Sequence, residues 1–431
     1  MRTTLLALAL VLTAACGSDR KGDRPPPHED APSPTPSQGP DPVVLRVART
    51  GGTVRAYVYP RLDSAVWRSS TPAPAIGRVL AFDEESGSLA LVDAKGQPTR
   101  VDLRSGSVTT ASKARLASLA SADGYAIYGV SGGAVTRLTP SAAPWPYKPP
   151  APAREVLPQP DGSVIVVGER GGATAVWHLR PPESKVLDSA VLGRTGRAVR
   201  TQIGDRVYFT TDSGLVALRG RDLQRVAPVR LDRPVRALAP TPSGDRLYVA
   251  TDSSAELTVI NRYTDKVEKR IALPAPVADL RMDPLGRRLL VRSARGDSVW
   301  VVALGTDRVI GAVRSAWLPD LPFVAPDGTV ALAQGPDVVF ADGETLAAGR
   351  RVAGGAKDFW HVLLWNGFRP RAAGLDQPVT FGSEQPDSAL GRSDSLDSAF
   401  AGGAIGGADS GTAPRAPDSG APRADSAAAP R

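Results

Sequence analysis

The sequence predicts an all-β protein, a β-propeller of seven four-stranded blades with eight as the alternative count, flanked by disordered N- and C-terminal tails. Three observations carry this. Glycines that close tight turns recur at Gly87, Gly124, Gly162, Gly204, Gly244, Gly286 and Gly328, at spacings of 37, 38, 42, 40, 42 and 42 residues. These glycines follow or abut acidic or proline turns, as in Asp123-Gly124, Asp161-Gly162, Ser243-Gly244-Asp245 and Asp327-Gly328, and a short β-branched run comes next. No 3.6-residue periodicity accompanies the repeat, so a unit of ~40 residues with several short strands fits a propeller blade rather than a helical solenoid.

Two adjacent copies show the unit most fully. In the first, Val235, Ala237 and Ala239 alternate with Arg236 and Leu238, and the turn 241–245 leads into Arg246-Leu247-Tyr248-Val249-Ala250, then 257–260, then 267–271. The second repeats this order at 277–282, 289–291, 298–302 and 308–310, with its turn at Asp283-Pro284-Leu285-Gly286. Period-two alternation punctuated by Gly, Pro and Asp is the pattern of half-buried antiparallel strands joined by hairpins. One blade cannot bury both of its faces, so the copies must stack, and a closed ring removes most exposed sheet edges.

In this phase the blades run over 76–110, 116–147, 154–191, 197–226, 234–271, 276–313 and 321–352. Ahead of them, 43–48, 53–59 and 65–68 are also strand-like, with Gly51-Gly52 as a turn. These segments read either as a degenerate eighth blade or as a strand that closes the ring against the last blade.

The stretch Arg246-Leu247-Tyr248-Val249-Ala250-Thr251, followed by Leu257-Thr258-Val259-Ile260-Asn261 and Lys266-Val267, resembles the YVTN and WD40-like propeller families. The Trp-Asp pair that ends a WD40 blade is absent. The resemblance implies a propeller over 43–353.

The amino terminus carries a second signal. Met1-Arg2 supplies a positive charge, 5–12 an apolar run and Thr13-Ala14-Ala15 small residues ahead of Cys16, the only cysteine. This resembles a bacterial lipoprotein signal peptide (1–15), cleaved before a cysteine that becomes acylated. The resemblance implies lipidation of Cys16, a membrane-lipid partner and a place in the cell envelope. Gly17 rather than Asp after the cysteine implies the outer membrane, facing the periplasm. The apolar run is too short to span a bilayer, which takes ~20 residues. A single cysteine excludes a disulfide within the chain.

Residues 16–42 are rich in Pro, Ser, Asp and Arg with little to bury, and predict an extended, disordered tether of tens of ångströms, at about 3 Å per residue. Residues 382–431 repeat Asp-Ser among Ala, Pro and Gly, again a disordered composition. Between ring and tail, 354–381 contains Phe359, Trp360, Trp365 and Phe368. Asp358 as a cap and Asn366-Gly367 as a stop predict a short helix with Phe359, Val362 and Leu363 along one stripe. The favoured expectation is that this element docks on the ring. The alternative is a partner-binding patch of Trp360, Trp365 and Phe368.

The net charge is +8, from 52 basic and 44 acidic residues. Ten arginines crowd 194–236, and Arg194, Arg197 and Arg200 are the candidate contacts for an anionic partner if they share a face. The competing expectation is solvated arginines paired with Asp205, Asp222 and Asp232. Export by the signal argues against nucleic acid as a partner.

For catalysis the chain offers no zinc-binding His-Glu-x-x-His, no Cys-x-x-Cys, no phosphate loop and no calcium loop, so no catalytic residue, metal or cofactor is expected. Gly129-Val130-Ser131-Gly132-Gly133 matches a nucleophile elbow, but the strand predicted at 134–138 stands where that motif needs a helix. Arg295-Gly296-Asp297 falls in a hairpin turn that the repeat itself requires. The expected function is a non-enzymatic, membrane-anchored scaffold binding an envelope protein or peptide, which resembles the propeller lipoprotein that assists outer-membrane barrel assembly. Two alternatives stand beside it: attachment to peptidoglycan through a SPOR-type domain absent from this chain, and a lactonase-like propeller enzyme. The latter is disfavoured because the innermost strands read as mainly Val, Ala and Leu.

Overall fold

The computed structural model describes residues 39–110, 116, 118–139 and 144–368. The signal peptide, Cys16, nearly all of the tether and the tail predicted at 382–431 lie outside the described residues. Among the described residues the chain forms eight antiparallel four-stranded sheets. Blades 1 to 7 span 76–110, 118–147, 153–192, 198–230, 235–272, 277–314 and 323–352, each running from its innermost to its outermost strand. Blade 8 is composite, with Asp358–Leu364 innermost and Pro42–Ala48, Arg55–Val58 and Trp67–Arg68 outside it.

The expected count of seven is therefore corrected to eight. The reading of the N-terminal strands as a degenerate blade holds: they form three strands of this one. The other reading does not, because they pair with Asp358–Leu364 and not with the sheet of the last expected blade, 321–352. The short helix expected after Asp358 is corrected to a strand, and the propeller extends to Leu364 rather than ending at 353. The physical reason is the exposed edge of Pro42–Ala48. Its backbone is satisfied by Asp358–Leu364 in unbroken register, from Pro42 opposite Leu364 to Ala48 opposite Asp358. Period-two alternation then sends Phe359 and Leu363 into the core shared with Leu89 and Leu91 of blade 1. Trp360 goes the other way, against Phe340 and Ala331 of blade 7.

The turn glycines do what the repeat requires. All seven lie between the first and second strands of blades 1 to 7 with φ between 69° and 92°, a region only glycine enters without Cβ strain. Asp side chains hold the same turns, as where Asp123 Oδ1 accepts the Tyr125 and Ala126 N–H groups, both at 2.9 Å. The cores lie between blades. One example joins Tyr248, Leu257 and Ile271 of blade 5 to Leu289, Val291 and Trp300 of blade 6.

Two details of the innermost strands govern the central channel. A bulge interrupts the pairing near the start of these strands in blades 1, 3, 5 and 6, between Ile76 and Arg78, Ala153 and Glu155, Val235 and Ala237, and Val277 and Asp279. A bulge redirects the side chains around it. In addition, arginines of these strands reach a carbonyl 41 residues on, one blade further round the ring. Arg78 Nη2 donates to Leu119 O at 2.7 Å, Arg154 Nη1 to Thr195 O at 3.0 Å, and Arg281 Nη1 to Pro322 O at 2.6 Å. The guanidiniums thus tie adjacent blades together around the channel.

Both ends of the ring sequence emerge side by side. The Trp365 N–H donates to Asp41 O at 2.8 Å and the Asp41 N–H to Asn366 Oδ1 at 2.9 Å. Leu364 ends an innermost strand, so both ends lie on the face that carries the turn glycines. The blade-to-blade links occupy the opposite face.

Candidate functional site

The innermost strands of blades 1 to 4 line an open cavity of about 820 Å³ in the channel, with Arg78, Arg154, Glu155, Arg197 and Arg200 in its wall. Four guanidiniums thus face one carboxyl. Arg154 sits on its strand's bulge and Arg78 beside one, which turns both off the plain alternation of the strand and toward the neighbouring blade. Arg197 immediately precedes the innermost strand of blade 4, where its carbonyl accepts the Thr210 N–H at 3.1 Å and the Gly196 N–H donates to Thr210 O at 2.7 Å. The channel is therefore not the Val, Ala and Leu tube expected from sequence.

Arg154 is anchored three times, to Thr195 O, Thr195 Oγ1 and Gly196 O at 2.7–3.0 Å. Arg200 caps Thr201 O and Gln202 O at 3.2 and 2.9 Å. Arg78 keeps one bond, to Leu119 O. Arg197 is exposed, and its side chain has no hydrogen bond to another described residue. Burial and then the charge of Arg197 lower the pKa of Arg78, and burial alone lowers that of Arg200. Burial raises the pKa of Glu155, although the Ala198 N–H donates to its Oε2 at 3.3 Å and Arg154 and Arg197 lie near. The wall therefore carries more positive charge than it neutralises, and repulsion between Arg78 and Arg197 adds to the cost. Arginine does not relieve such strain by losing its proton, so an anion is the natural relief.

Arg197 and Arg200 come together here as the sequence grouped them, and Arg194 does not. It is exposed and lies by a separate cavity of about 470 Å³ with Thr210, Asp212 and Pro234. Arg78, Arg154 and Glu155 were missed because they come from blades 1 and 3. The available signal was an arginine near the start of the innermost strand in blades 1, 3, 4 and 5, at Arg78, Arg154, Arg197 and Arg236. Of the expected pairings, Asp222 meets Arg219 at 2.7 Å, whereas Asp205 and Asp232 pair with arginines outside the 194–236 cluster, Arg262 and, at 3.5 Å, Arg270.

The aromatic candidates are placed differently. Trp360 is buried, with Phe323 and Phe340 each 6.2 Å away, its Nε1 donating to Gly355 O at 2.7 Å and Arg46 lying 4.4 Å over its ring. Trp365 is buried on blade 1, where Nε1 donates to Glu84 O at 3.0 Å and Phe82 meets the ring edge-on at 5.9 Å. Phe368 is half-buried, 4.7 Å from Trp365 and 5.7 Å from Trp67. The two indoles leave almost no surface for a partner.

Ser131 ends one strand and Ala134 starts the next, the strand-turn-strand context expected for it. Among the described residues no cluster of His, Cys, Asp and Glu could hold a metal ion.

No protein-family model matches this sequence, and no curated protein matches it. Solved structures do. The dihydro-heme d1 dehydrogenase NirN in complex with DHE aligns with a TM-score of 0.53 at 14% identity, over 72% of this chain and 73% of that one. Apo AztD from Citrobacter koseri aligns at 0.50 with 10% identity, over 76% and 99%. A eukaryotic initiation factor aligns at 0.51 with 13% identity, over 75% and 98%. Neighbours so different in name, at such identities, establish the β-propeller fold alone.

Proposed function

We propose that this chain is a non-enzymatic, lipid-anchored β-propeller scaffold of the bacterial cell envelope, held to the membrane through acylated Cys16 and binding an envelope protein or peptide. The observation that supports it most is the pairing of the two ends of the ring, through Trp365 N–H to Asp41 O and Asp41 N–H to Asn366 Oδ1. A tether running from Cys16 to Pro42 would join the ring at the glycine-turn face. At about 3 Å per residue it would let that face lie tens of ångströms from the bilayer and leave the link face open toward a partner. Two or more acyl chains on one cysteine would make the attachment stable, where a single chain gives only marginal binding.

Fractionation tests the anchor. Cys16→Ser should move the protein from the membrane pellet to the soluble envelope fraction without changing its melting temperature. Sedimentation of the variant with membranes would reject it. Crosslinking from membranes tests the scaffold. Photo-crosslinkers at exposed link-face positions such as Arg194 and Arg236 should capture one reproducible envelope protein, and absence of any specific product would reject that part.

A further inference from the structure

We propose that the arginine wall of the channel, formed by Arg78, Arg154, Arg197 and Arg200, is a binding site for a phosphoryl-bearing small ligand, with Arg78 and Arg197 as its direct contacts. The inference rests on the binding-scaffold reading above and names what one part of that scaffold would hold.

The geometry separates two pairs of arginines. Arg154 commits both terminal nitrogens and Arg200 its Nη1 to oxygens of their own wall, which holds these two guanidiniums as a fixed positive frame. Arg197 has no hydrogen bond to another described residue, and Arg78 has a single one, so most of their donors are free to meet a ligand. The structure also brings these two close enough for each charge to act on the other, an arrangement that disfavours the empty site and favours a shared anion.

The charge count selects the class of ligand. Glu155 offsets one of the four guanidiniums, which leaves an excess that one carboxylate would not match and that a dianionic or trianionic phosphoryl group would. Planar guanidinium forks also suit tetrahedral phosphoryl oxygens, which they can engage two at a time. A cavity of about 820 Å³ is within the ~300–1,000 Å³ range of small-ligand sites, so the ligand can be larger than phosphate itself.

The test uses the full chain with pyrophosphate as probe, titrated calorimetrically at constant ionic strength against chloride, with succinate as the carboxylate control. Pyrophosphate is expected to bind at one site and to raise the melting temperature. Arg78→Ala with Arg197→Ala should weaken binding at least tenfold while the protein stays folded in chloride. Arg308→Ala, on the exposed outer strand of blade 6, should leave binding intact. Arg197→Lys, which keeps the charge but loses the fork, should bind more weakly than the parent. Equal binding by the double variant, no heat beyond chloride, or tighter binding of succinate would each overturn the proposal. Failure here with link-face crosslinks retained would leave the scaffold reading standing, and the reverse result would separate the two in the other direction.

Discussion

Arg46 and Asp358 lie 312 residues apart in sequence and meet where the ring closes, with Arg46 Nε and Nη2 donating to Asp358 Oδ2 at 3.0 and 2.8 Å. Both side chains are nearly buried, and Arg55 Nη2 reaches the same oxygen at 3.0 Å. The Arg46 guanidinium also lies over the rings of Trp360 and Tyr57, at 4.4 and 5.2 Å. One carboxylate thus gathers two cations at the start of the closing strand.

Removing that carboxylate should loosen the closure. Asp358→Ala leaves Arg46 buried without its partner, which costs about 3–5 kcal/mol. The matched double change Arg46→Met with Asp358→Ala should recover part of the loss, because it removes the stranded charge as well. Urea unfolding of the three variants reads this directly. A double variant no more stable than Asp358→Ala alone would show that the ion pair is not the source of the cost.

Trp365 should matter for stability rather than for recognition. It is buried on blade 1, and a Cβ built on Gly87 would come within 2.7 Å of its ring, so indole and turn are fitted to each other. Trp365→Ala should cost about 3–5 kcal/mol, with partner capture falling only as far as unfolding accounts for. An unchanged melting temperature with lost crosslinks would instead make this segment the docking site.

The turn glycines separate backbone strain from packing. At Gly286 an added Cβ would meet nothing closer than 3.5 Å, so Gly286→Ala pays only for its φ of 69°, about 1–2 kcal/mol. At Gly124 the same atom would lie 2.4 Å from Asp83 N and 2.7 Å from Ser88 O, both backbone. Gly124→Ala should therefore lose about 1–3 kcal/mol more. Thermal unfolding of the pair tests this, and equal losses would contradict the close approach of blades 1 and 2.

These glycines also show what a sequence reveals well. A residue with φ near 70° at the tip of a hairpin is a local demand, legible wherever it repeats, and it marked seven blades in phase. The closing blade had no such local mark. Its innermost strand is joined to the other three only by pairing across some 300 residues, and Phe359, Val362 and Leu363 fit a helical stripe as readily as a strand. Asp358 stands before that stripe as a helix cap would, yet it serves as an ion-pair partner. The channel was hidden for another reason. Its charge depends on side-chain direction at bulges, and one extra residue in Ala153–Pro158 is enough to re-aim Arg154 toward the next blade.

His361 should give the fold a measurable pH dependence. It lies between Phe359 and Leu363 on the closing strand, in a small space lined by Leu45, Val79 and Leu89, with Arg46 the charged residue in that lining. Burial pushes its pKa down from 6.5 to about 4. Above pH 6.5 the ring is neutral in both the folded and the unfolded chain, so the full stability is present. As the pH falls from 6.5 toward 4, the unfolded chain takes up a proton that the folded chain resists, and stability declines by up to about 1.4 kcal/mol per pH unit. Below about pH 4 both forms are protonated and the slope ends, for a total of at most about 3.4 kcal/mol. Carboxyls with raised pKa values, Glu155 and Asp320 among them, act in the opposite sense as the pH falls, so the parent's profile alone is ambiguous. The difference between the parent and His361→Gln cancels them. That difference, from urea unfolding at pH 7.5, 6, 5 and 4.5, should be flat above 6.5 and shift steadily against the parent below it. Parallel profiles for the two proteins would show that His361 takes up its proton as readily in the ring as in the unfolded chain.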